Sequence, residues 1–169
     1  MSKFELFKIN VFLRLYAWIK IPLIGFCSPQ LVELSDARLA LKIPLGYRTR
    51  NHLKSMYFGA LAIGAEMSIV LIAVLKIKEH TDRGGDQIDF VFKDFKINFL
   101  KRPDGDVHFI SDEIKTVVDQ ISEAKNSSER INRTMKGFAV VPSIDPLERV
   151  ADFELTLSVK RRVSKKKQI

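Results

Sequence analysis

The longest apolar segment of the chain extends from Met56 to Leu75 and is interrupted by one charged residue, Glu66. About twenty apolar residues suit either a helix that crosses a bilayer or a helix buried on all sides in a protein core. A carboxylate at the centre of a bilayer is costly, and the small residues Gly59 and Gly64 suit close packing by other protein. We therefore predict a buried central helix of a soluble domain, from about Met56 to about Glu79.

Alternating apolar and polar residues on both sides of this helix predict β-strands. Between Gln87 and Arg102 the apolar phase slips after Phe92, which predicts a bulge near Lys93 and Asp94. The predicted strands cover 31–34, 38–47, 87–102, 107–110, 129–143 and 149–163, with turns at 103–105 and 145–146. Pro44 predicts an edge position or a bulge for the second strand.

A further amphipathic helix, beginning near Ile114 with Ser111 or Asp112 as its cap, separates the fourth and fifth predicted strands. A helix that is apolar all round needs cover on every side, and a curved sheet can supply much of it. The fold class is therefore α+β, with a curved antiparallel sheet wrapped around one long central helix.

The N-terminal segment predicts an amphipathic helix, because large apolar residues recur every three or four positions. They are Phe4, Phe7, Val11, Leu15 and Trp18. Pro22 and the Ser28–Pro29 pair end this unit. We expect the helix to lie on the surface of the fold or on a partner subunit. Contact with a membrane surface is the alternative, since basic residues occupy its other faces. No signal peptide is expected.

The 169 residues suit one domain, and the formal net charge is +8. We divide the chain into an N-terminal helix and turn at 1–29, a main domain at 30–163 and a basic tail at 164–169. The positive charge is concentrated near the C-terminus in Lys160, Arg161, Arg162, Lys165, Lys166 and Lys167. Such a run is usually solvated, although it could touch an anionic membrane or nucleic acid. No aromatic residues interleave with it, so nucleic acid is not an expected partner.

The cysteine and histidine content predicts neither a disulfide framework nor a metal site. Cys27 is the single cysteine, which indicates an intracellular, cytoplasmic protein. His52, His80 and His108 are scattered without metal-ligand spacing. No cofactor is expected.

Glu66 is the candidate for chemistry, because an ionised carboxylate in apolar surroundings is costly unless it is paired or used. Gly59 opens the same predicted helix two turns earlier, and Ser55 is available as its cap. Backbone N–H groups at a helix start can bind a developing oxyanion. The structural alternative for Glu66 is an ion pair with an Arg or Lys on a strand.

The segment around Glu66 resembles the hotdog-fold thioesterase superfamily, in particular the phenylacetate-pathway and hydroxybenzoyl-CoA thioesterases. Those proteins carry an Asn, a His-Gly-Gly six residues later, and an acid seven residues after the second Gly. Here Asn51, Gly59 and Glu66 match in register. Residues 106–112 and 153–161 look like strands of a hotdog subfamily of otherwise uncharacterised proteins. The resemblance covers most of the chain and implies the hotdog fold.

The match departs from the family at two positions. Tyr57 stands where the family has His, and Phe58 stands where it has the first Gly. The resemblance implies that Glu66 attacks a thioester carbonyl or activates a water, that the amides of Phe58 and Gly59 hold the oxyanion, and that Asn51 orients the reacting groups. Tyr57 could donate through its hydroxyl group, from a different distance than the family His.

The resemblance implies an enzyme, an acyl-CoA thioesterase, whose site lies between the subunits of a homodimer that could pair further into a tetramer. Coenzyme A is anionic, and the basic residues beside the motif are candidate contacts for it, with a solvated polar loop as the alternative. They are Arg48, Arg50, His52 and Lys54. The alternative function is an acyl-chain or acyl-CoA binding hotdog protein without turnover. In one form of this alternative, the protein associates with a membrane surface. Asn51 could equally be an ordinary loop residue.

Overall fold

The computed structural model describes residues 2–162. Within them the helices are α1 (Lys3–Lys20), α2 (Pro22–Cys27), α3 (Phe58–Asp82) and α4 (Ile114–Asn126). The strands are β1 (Gln30–Leu34), β2 (Leu39–Ile43), β3 (Ile88–Phe99), β4 (Val107–Ser111), β5 (Ile131–Val141) and β6 (Asp145–Arg161). They form one antiparallel sheet in the order β1-β2-β4-β5-β6-β3.

The long helix α3 lies against β2, β4 and β5, and its side chains form the centre of the core. Gly64 sets the distance between helix and sheet. A Cβ atom at this position would lie 2.2 Å from Cε2 of Phe109, a fully buried side chain of β4. Glycine therefore lets the aromatic ring approach the helix backbone. This confirms the predicted architecture, a curved antiparallel sheet around one central helix.

The start of α3 differs from the prediction. The helix begins at Phe58 with Tyr57 as its N-cap, and no side chain caps it. Ser55 is buried in the preceding loop, where its hydroxyl group bonds to Asn51 instead. Ser55 was predicted as the cap because it is the last hydroxyl residue before the apolar run, but it lies too early for that role.

The sheet confirms the predicted bulge and corrects the prediction for Pro44. The register between β3 and β6 shifts between Phe92 and Asp94. The strand β2 is interior, because it pairs with both β1 and β4. It ends at Ile43, so Pro44 follows the strand and removes no donor from the ladder.

Two smaller boundaries also differ from the sequence prediction. The N-cap of α4 is Glu113, because Ser111 belongs to β4 and Asp112 pairs with Arg38. The turn between β5 and β6 covers residues 142–144, just before the predicted Asp145–Pro146 turn.

The helix α1 is present, but it packs through a different face than predicted. Leu13 and Ala17 are its buried residues, whereas the predicted apolar stripe from Phe4 to Trp18 is exposed. Asn10 fixes α1 to the sheet edge. Its Nδ2 atom donates to the Leu31 carbonyl at 2.9 Å, and its Oδ1 atom accepts from the Leu31 N–H at 2.7 Å. Asn10 thus takes the place of a neighbouring strand at this edge residue.

Within residues 2–162, α3 is the one helix long and apolar enough to cross a membrane. In this fold, 67% of its apolar window is buried by protein, as expected for a core helix. The predicted basic tail 164–169 lies outside the described residues. The division at residues 29 and 163 remains a prediction; Leu13 and Ala17 of α1 share one core with α3.

We predict that Gly64→Ala lowers the free energy of unfolding by about 1–3 kcal/mol, because the added methyl group would overlap the ring of Phe109. Gly46→Ala is the matched control, since a Cβ there has no neighbour within 4 Å. Urea denaturation of both variants tests this. In a Phe109→Leu background the cost of Gly64→Ala should shrink, and an unchanged cost would show that the ring is not the obstacle.

Candidate active site

The loop between β2 and α3 is fixed by its own backbone and by short polar side chains. The Thr49 hydroxyl group donates to the Pro44 carbonyl at 2.6 Å and accepts from the Gly46 N–H at 3.0 Å. The Tyr57 N–H donates to the Thr49 carbonyl at 2.7 Å. Asp106 accepts from the Leu45 N–H at 2.9 Å. These bonds fix the point at which the chain enters α3.

Asn51 closes the second half of this loop. Its Oδ1 atom accepts from the Leu53 N–H at 2.9 Å, and its Nδ2 atom lies 3.1 Å from the Ser55 hydroxyl group. The Asn51 N–H donates to the Ser55 carbonyl at 2.8 Å. Lys54, at the tip, has a positive φ of 66°. Among the described residues, Asn51 makes its hydrogen bonds inside the loop and none joins it to Glu66.

The first two backbone amides of α3 have no acceptor within residues 2–162. The N–H groups of Ala60 and Leu61 both donate to the Tyr57 carbonyl, at 3.0 and 3.2 Å, but no such bond uses those of Phe58 or Gly59. N-terminal amides of a helix lack intrahelical partners and lie at the positive end of the helix dipole. The two amides are therefore available to an anionic or partly negative oxygen.

Tyr57 lies directly over this helix start. A Cβ atom on Gly59 would be 2.7 Å from Cε1 of Tyr57, so the tyrosine ring lies over the glycine. The rings of Tyr57 and Phe58 are in contact, with centroids 4.6 Å apart, and both side chains are about half exposed. The tyrosine ring thus lies beside the two free amides.

A surface groove of about 640 Å³ extends from this helix start to the far end of β3. Of the predicted site residues, it brings together Asn51, His52, Tyr57 and Phe58. The other wall consists of Phe99, Leu100, Lys101, Arg102 and Pro103. The groove is therefore apolar in the middle and basic at one wall.

Glu66 does not line this groove. It lines a separate apolar cavity of about 50 Å³ between α1, α2, α3 and β3. The surrounding side chains are Phe12, Leu13, Tyr16, Ile21, Ile24, Met67, Val70, Leu71, Val74, Phe90 and Phe92. Burial raises the pKa of Glu66 above its ordinary value. No hydrogen bond or ion pair to Glu66 is formed within residues 2–162, so the structural alternative of a paired strand cation has no support there.

The distance between the two features follows from helix geometry. Seven residues separate Gly59 from Glu66, which is about 10 Å along an α-helix axis. Both lie on the least buried side of α3, together with Ala62 and Ile63. One reacting carbonyl cannot lie about 3 Å from both the free amides and the carboxylate at that separation without help from side-chain reach or a second subunit.

The basic residues of the loop are exposed, and three of the four do not line the groove. The Arg48 guanidinium stacks on the Phe26 ring at 5.3 Å, and that of Arg50 stacks on Tyr47 at 5.5 Å. Of the four predicted substrate contacts, His52 alone lines the groove. Within residues 2–162, Arg48, Arg50, His52 and Lys54 make no ion pair. All four basic side chains of this loop therefore lack an acidic partner within residues 2–162.

Sequence reasoning missed the second wall of the groove. Lys101 pairs with Glu148, and Arg102 with Asp104 at 3.0 Å, where the chain leaves β3. Residues 100–102 were predicted as the end of a strand and Pro103 as the start of a turn, and nothing in this run indicated proximity to Asn51. The aromatic side chains of α1 beside Glu66 gave no signal, because Phe12 and Tyr16 lie outside the predicted stripe.

The remaining histidine, cysteine and carboxylate side chains of residues 2–162 do not form a second candidate site. Within residues 2–162, no group of three His, Cys, Asp or Glu side chains is placed to hold a metal ion. Cys27 is buried in α2, and burial raises the pKa of its thiol. Burial and the nearby Lys42 ammonium lower the pKa of His108.

The fold matches solved structures at low sequence identity. A thioesterase of Haemophilus influenzae matches with a TM-score of 0.64 and 14% identity over 90% of this chain and 92% of that one. A variant thioesterase of Pseudomonas aeruginosa matches at 0.66 and 16%, over 93% and 94%. A protein of unknown function from Chlorobaculum tepidum matches at 0.74 and 13%, over 93% and 97%.

Identities this low show the fold, which is the hotdog fold of these thioesterases. No protein-family model matches the chain. No curated protein matches it in sequence. Activity therefore has to be argued from the site.

We predict that Glu66→Gln raises the free energy of unfolding near neutral pH. The folded-state pKa is raised, so the fold favours the protonated acid, and the charged form weakens stability as the pH rises through that pKa. The advantage of Gln should fade as the pH falls toward about 4.5, the ordinary carboxyl value. Denaturant titrations across this range measure it.

Glu79→Gln on the same helix is the control with the opposite sign. Its pKa is lowered, first by the hydrogen bond from Lys76, so its loss should weaken the fold at neutral pH and have no effect in acid. A Glu66→Gln variant less stable than the parent near pH 8 would mean that the carboxylate has a stabilising partner.

Proposed function

We propose that this protein hydrolyses acyl thioesters, with acyl-CoA as the substrate class. The observation that carries the proposal is on one helix. Glu66 is a half-buried carboxylate without a protein partner in the described residues, and the same helix begins with two free amides. A carboxylate with a raised pKa in a dry setting is suited to act as base or nucleophile, and free helix amides are suited to an oxyanion.

The chemical step uses these two features as follows. The Glu66 carboxylate attacks the thioester carbon, or takes a proton from a water that attacks it. The carbonyl π electrons move to the oxygen, and the amides of Phe58 and Gly59 donate to the resulting oxyanion. When the carbonyl re-forms, the carbon–sulfur bond breaks and the thiolate leaves. On the nucleophilic route, a water then cleaves the acyl–Glu66 anhydride. On either route the proton that the water gives up passes through the Glu66 carboxyl group to the thiolate, so both routes yield an acid and a thiol.

A second copy of the chain would bring the two features together. In one subunit they are about 10 Å apart, and the 50 Å³ cavity at Glu66 is too small for an acyl chain. The strand β3 is an edge strand, because it pairs with β6 on one side only, and Phe92, Phe95 and Phe99 on it are about half exposed.

The positions along β3 support a site between two subunits. Phe90 and Phe92 border the Glu66 cavity, and Phe99 borders the groove. If two copies pair antiparallel through β3 around a point near Phe95, the cavity end of one strand lies beside the groove end of the other. Glu66 of one copy would then face the free amides of the second. The homodimer we propose rests on this geometry, and a tetramer would need a further surface.

The loop cations would bind the phosphate groups of coenzyme A. Arg48, Arg50 and Lys54 are exposed and have no acidic partner among residues 2–162, whereas Lys101 and Arg102 already hold carboxylates. Guanidinium groups bind phosphate with paired N–H donors. Asn51 would act by holding the loop that presents these residues, because its side chain is engaged there.

Binding of acyl-CoA without turnover is the second candidate, and Tyr57 favours it. Its ring lies over Gly59, which narrows the approach to the free amides. Release of free thiol from a panel of acyl-CoA esters separates the two functions, since a binding protein would show affinity for the same esters without thiol release.

We predict that Tyr57→Phe lowers kcat/KM by less than about tenfold if the amides hold the oxyanion, because the variant loses one ordinary hydrogen bond at most.

We predict that Phe58→Pro lowers kcat by about 100- to 1,000-fold, the scale for losing one oxyanion donor. Proline removes the N–H of residue 58 but suits the first position of a helix, and Tyr57 already has the extended conformation that proline requires before it. Phe58→Ala is the matched control, because it loses the ring and keeps the amide. Equal losses in both variants would assign the effect to the ring.

We predict that Glu66→Gln lowers the rate by about 100-fold or more, the scale of an essential acid–base group. Mixing it with Phe58→Pro then tests the shared site. After random subunit exchange half of the dimers are mixed, and each mixed dimer holds one intact site, so about a quarter of the parental activity should return. Mixtures that stay as inactive as the separate variants would place the whole site within one subunit.

A further inference from the structure

The helix α1 has two apolar faces on opposite sides, and the fold covers one of them. The inner face is buried through Leu13 and Ala17. We call the other side the outer face; it consists of Phe4, Phe7, Val11, Leu15 and Trp18, which are 42–65% exposed. At 100° per residue these five positions fall within one narrow sector, almost opposite Leu13. A row of five large exposed apolar side chains marks an interaction surface.

The helix α2 extends this surface. Trp18 lies against Gly25, where a Cβ atom would be 2.8 Å from the indole ring, so the two helices are closely joined at the end of the outer face. Leu23 and Phe26 on α2 are 65% and 45% exposed.

Basic residues flank the outer face. Lys8 follows Phe4 by one turn, with its ammonium group 4.4 Å from the centre of the Phe4 ring, and Lys3 and Arg14 fall on the opposite flank. The one acidic residue of α1, Glu5, is engaged in the capping box with Ser2. The flanks of the outer face are therefore positive.

The groove beside α1 reaches one lysine of the sheet, Lys42. This groove of about 690 Å³ is bordered by Phe7, Val11 and Arg14, and its far side includes Lys42 and His108. Asp106 lies 3.4 Å from Lys42 and offsets part of that charge.

We propose that the outer face of α1 docks on an anionic lipid bilayer surface, with the helix lying parallel to the membrane. Aromatic and leucine side chains in a row, with lysine and arginine on both flanks, are the composition of interfacial helices. Charge decides between lipid and a second copy of the chain. Two outer faces placed together would bring Lys3, Lys8 and Arg14 against their own kind, whereas anionic head groups complement them. This inference does not depend on the proposed hydrolysis.

The test is sedimentation of the full chain with vesicles of phosphatidylcholine, with and without phosphatidylserine. We expect binding to the anionic vesicles that weakens at high salt. Phe7→Gln combined with Leu15→Gln should lower the partition coefficient more than tenfold, because two apolar side chains no longer enter the interface. The matched control is Ile144→Gln with Leu147→Gln, which removes two exposed apolar side chains from the turn after β5 and the start of β6.

A second pair of variants tests the charges. Lys8→Gln with Arg14→Gln should weaken binding to anionic vesicles at least tenfold, at about one kcal/mol per basic residue near the surface. Lys78→Gln with Lys115→Gln makes the same change in net charge away from α1 and should leave binding within about threefold of the parent. Thermal unfolding shows that each variant is folded.

Three results would overturn the proposal. The parent protein could bind anionic vesicles no better than neutral ones. The variant of Phe7 and Leu15 could bind as well as the parent, which would assign binding to the basic C-terminal residues that remain in every variant. Sedimentation velocity could show that this variant loses a subunit while vesicle binding is unchanged, which would make the outer face an interface between copies.

Discussion

The structure depends on covering α3, a helix whose central part is apolar on nearly every side. The sheet covers one side, and Gly64 lets Phe109 of β4 come close enough to do so without a void. The helices α1 and α2 cover a second side around the Glu66 cavity. After the exposed Phe58, the least buried residues of the first half of the helix are Gly59, Ala62, Ile63 and Glu66. The packing around α3 thus determines the side from which a substrate can reach the Glu66 carboxylate.

The same need for cover explains the two chemical features of α3, its free N-terminal amides and the raised pKa of Glu66. Because the loop bonds of Thr49, Asn51 and Ser55 fix the entry of the chain, the helix starts abruptly at Phe58 with no side-chain cap. An uncapped start leaves amides free, and apolar cover two turns later raises the pKa of Glu66. A capped start would satisfy the amides, and a paired acid would have an ordinary or lowered pKa. Both features of the candidate site are therefore features that stability alone would remove.

Hydrophobic patterning predicted most of the fold from sequence, because α3 is marked by a long apolar run and the strands by a two-residue alternation. The bulge after Phe92 was visible as a slip in a two-residue alternation. The inner face of α1 was not, because the segment carries two apolar stripes, and the stripe with Phe4, Phe7 and Trp18 is larger than the one with Leu13 and Ala17. Choosing the stripe with the larger side chains as the buried face gives the wrong answer when that stripe is left exposed for a partner outside the fold.

The sequence predicts a set of candidate site residues, which stays a prediction, but it does not predict how they are arranged. The register of Asn51, Gly59 and Glu66 follows from a resemblance, yet no spacing in one chain shows that Asn51 turns into its own loop or that Lys101 and Arg102 face the helix start. Long-range proximity depends on sheet order, and the strand β3 that carries one groove wall is last in the sheet although it is third in the chain.

The environment of Glu66 links the N-terminal helices to the chemistry of α3. Phe12 and Tyr16 of α1 line the same cavity as Glu66, and so do Ile21 and Ile24 near and within α2. Desolvation is the one cause of the raised pKa of Glu66, so part of that shift depends on these helices staying in place. Because α1 is held to the sheet edge by Asn10 and exposes its outer face, a force on that face acts on an element that lines the same cavity as Glu66. Glu66 and α1 therefore share one apolar boundary, and the burial that raises the pKa of Glu66 includes a contribution from α1.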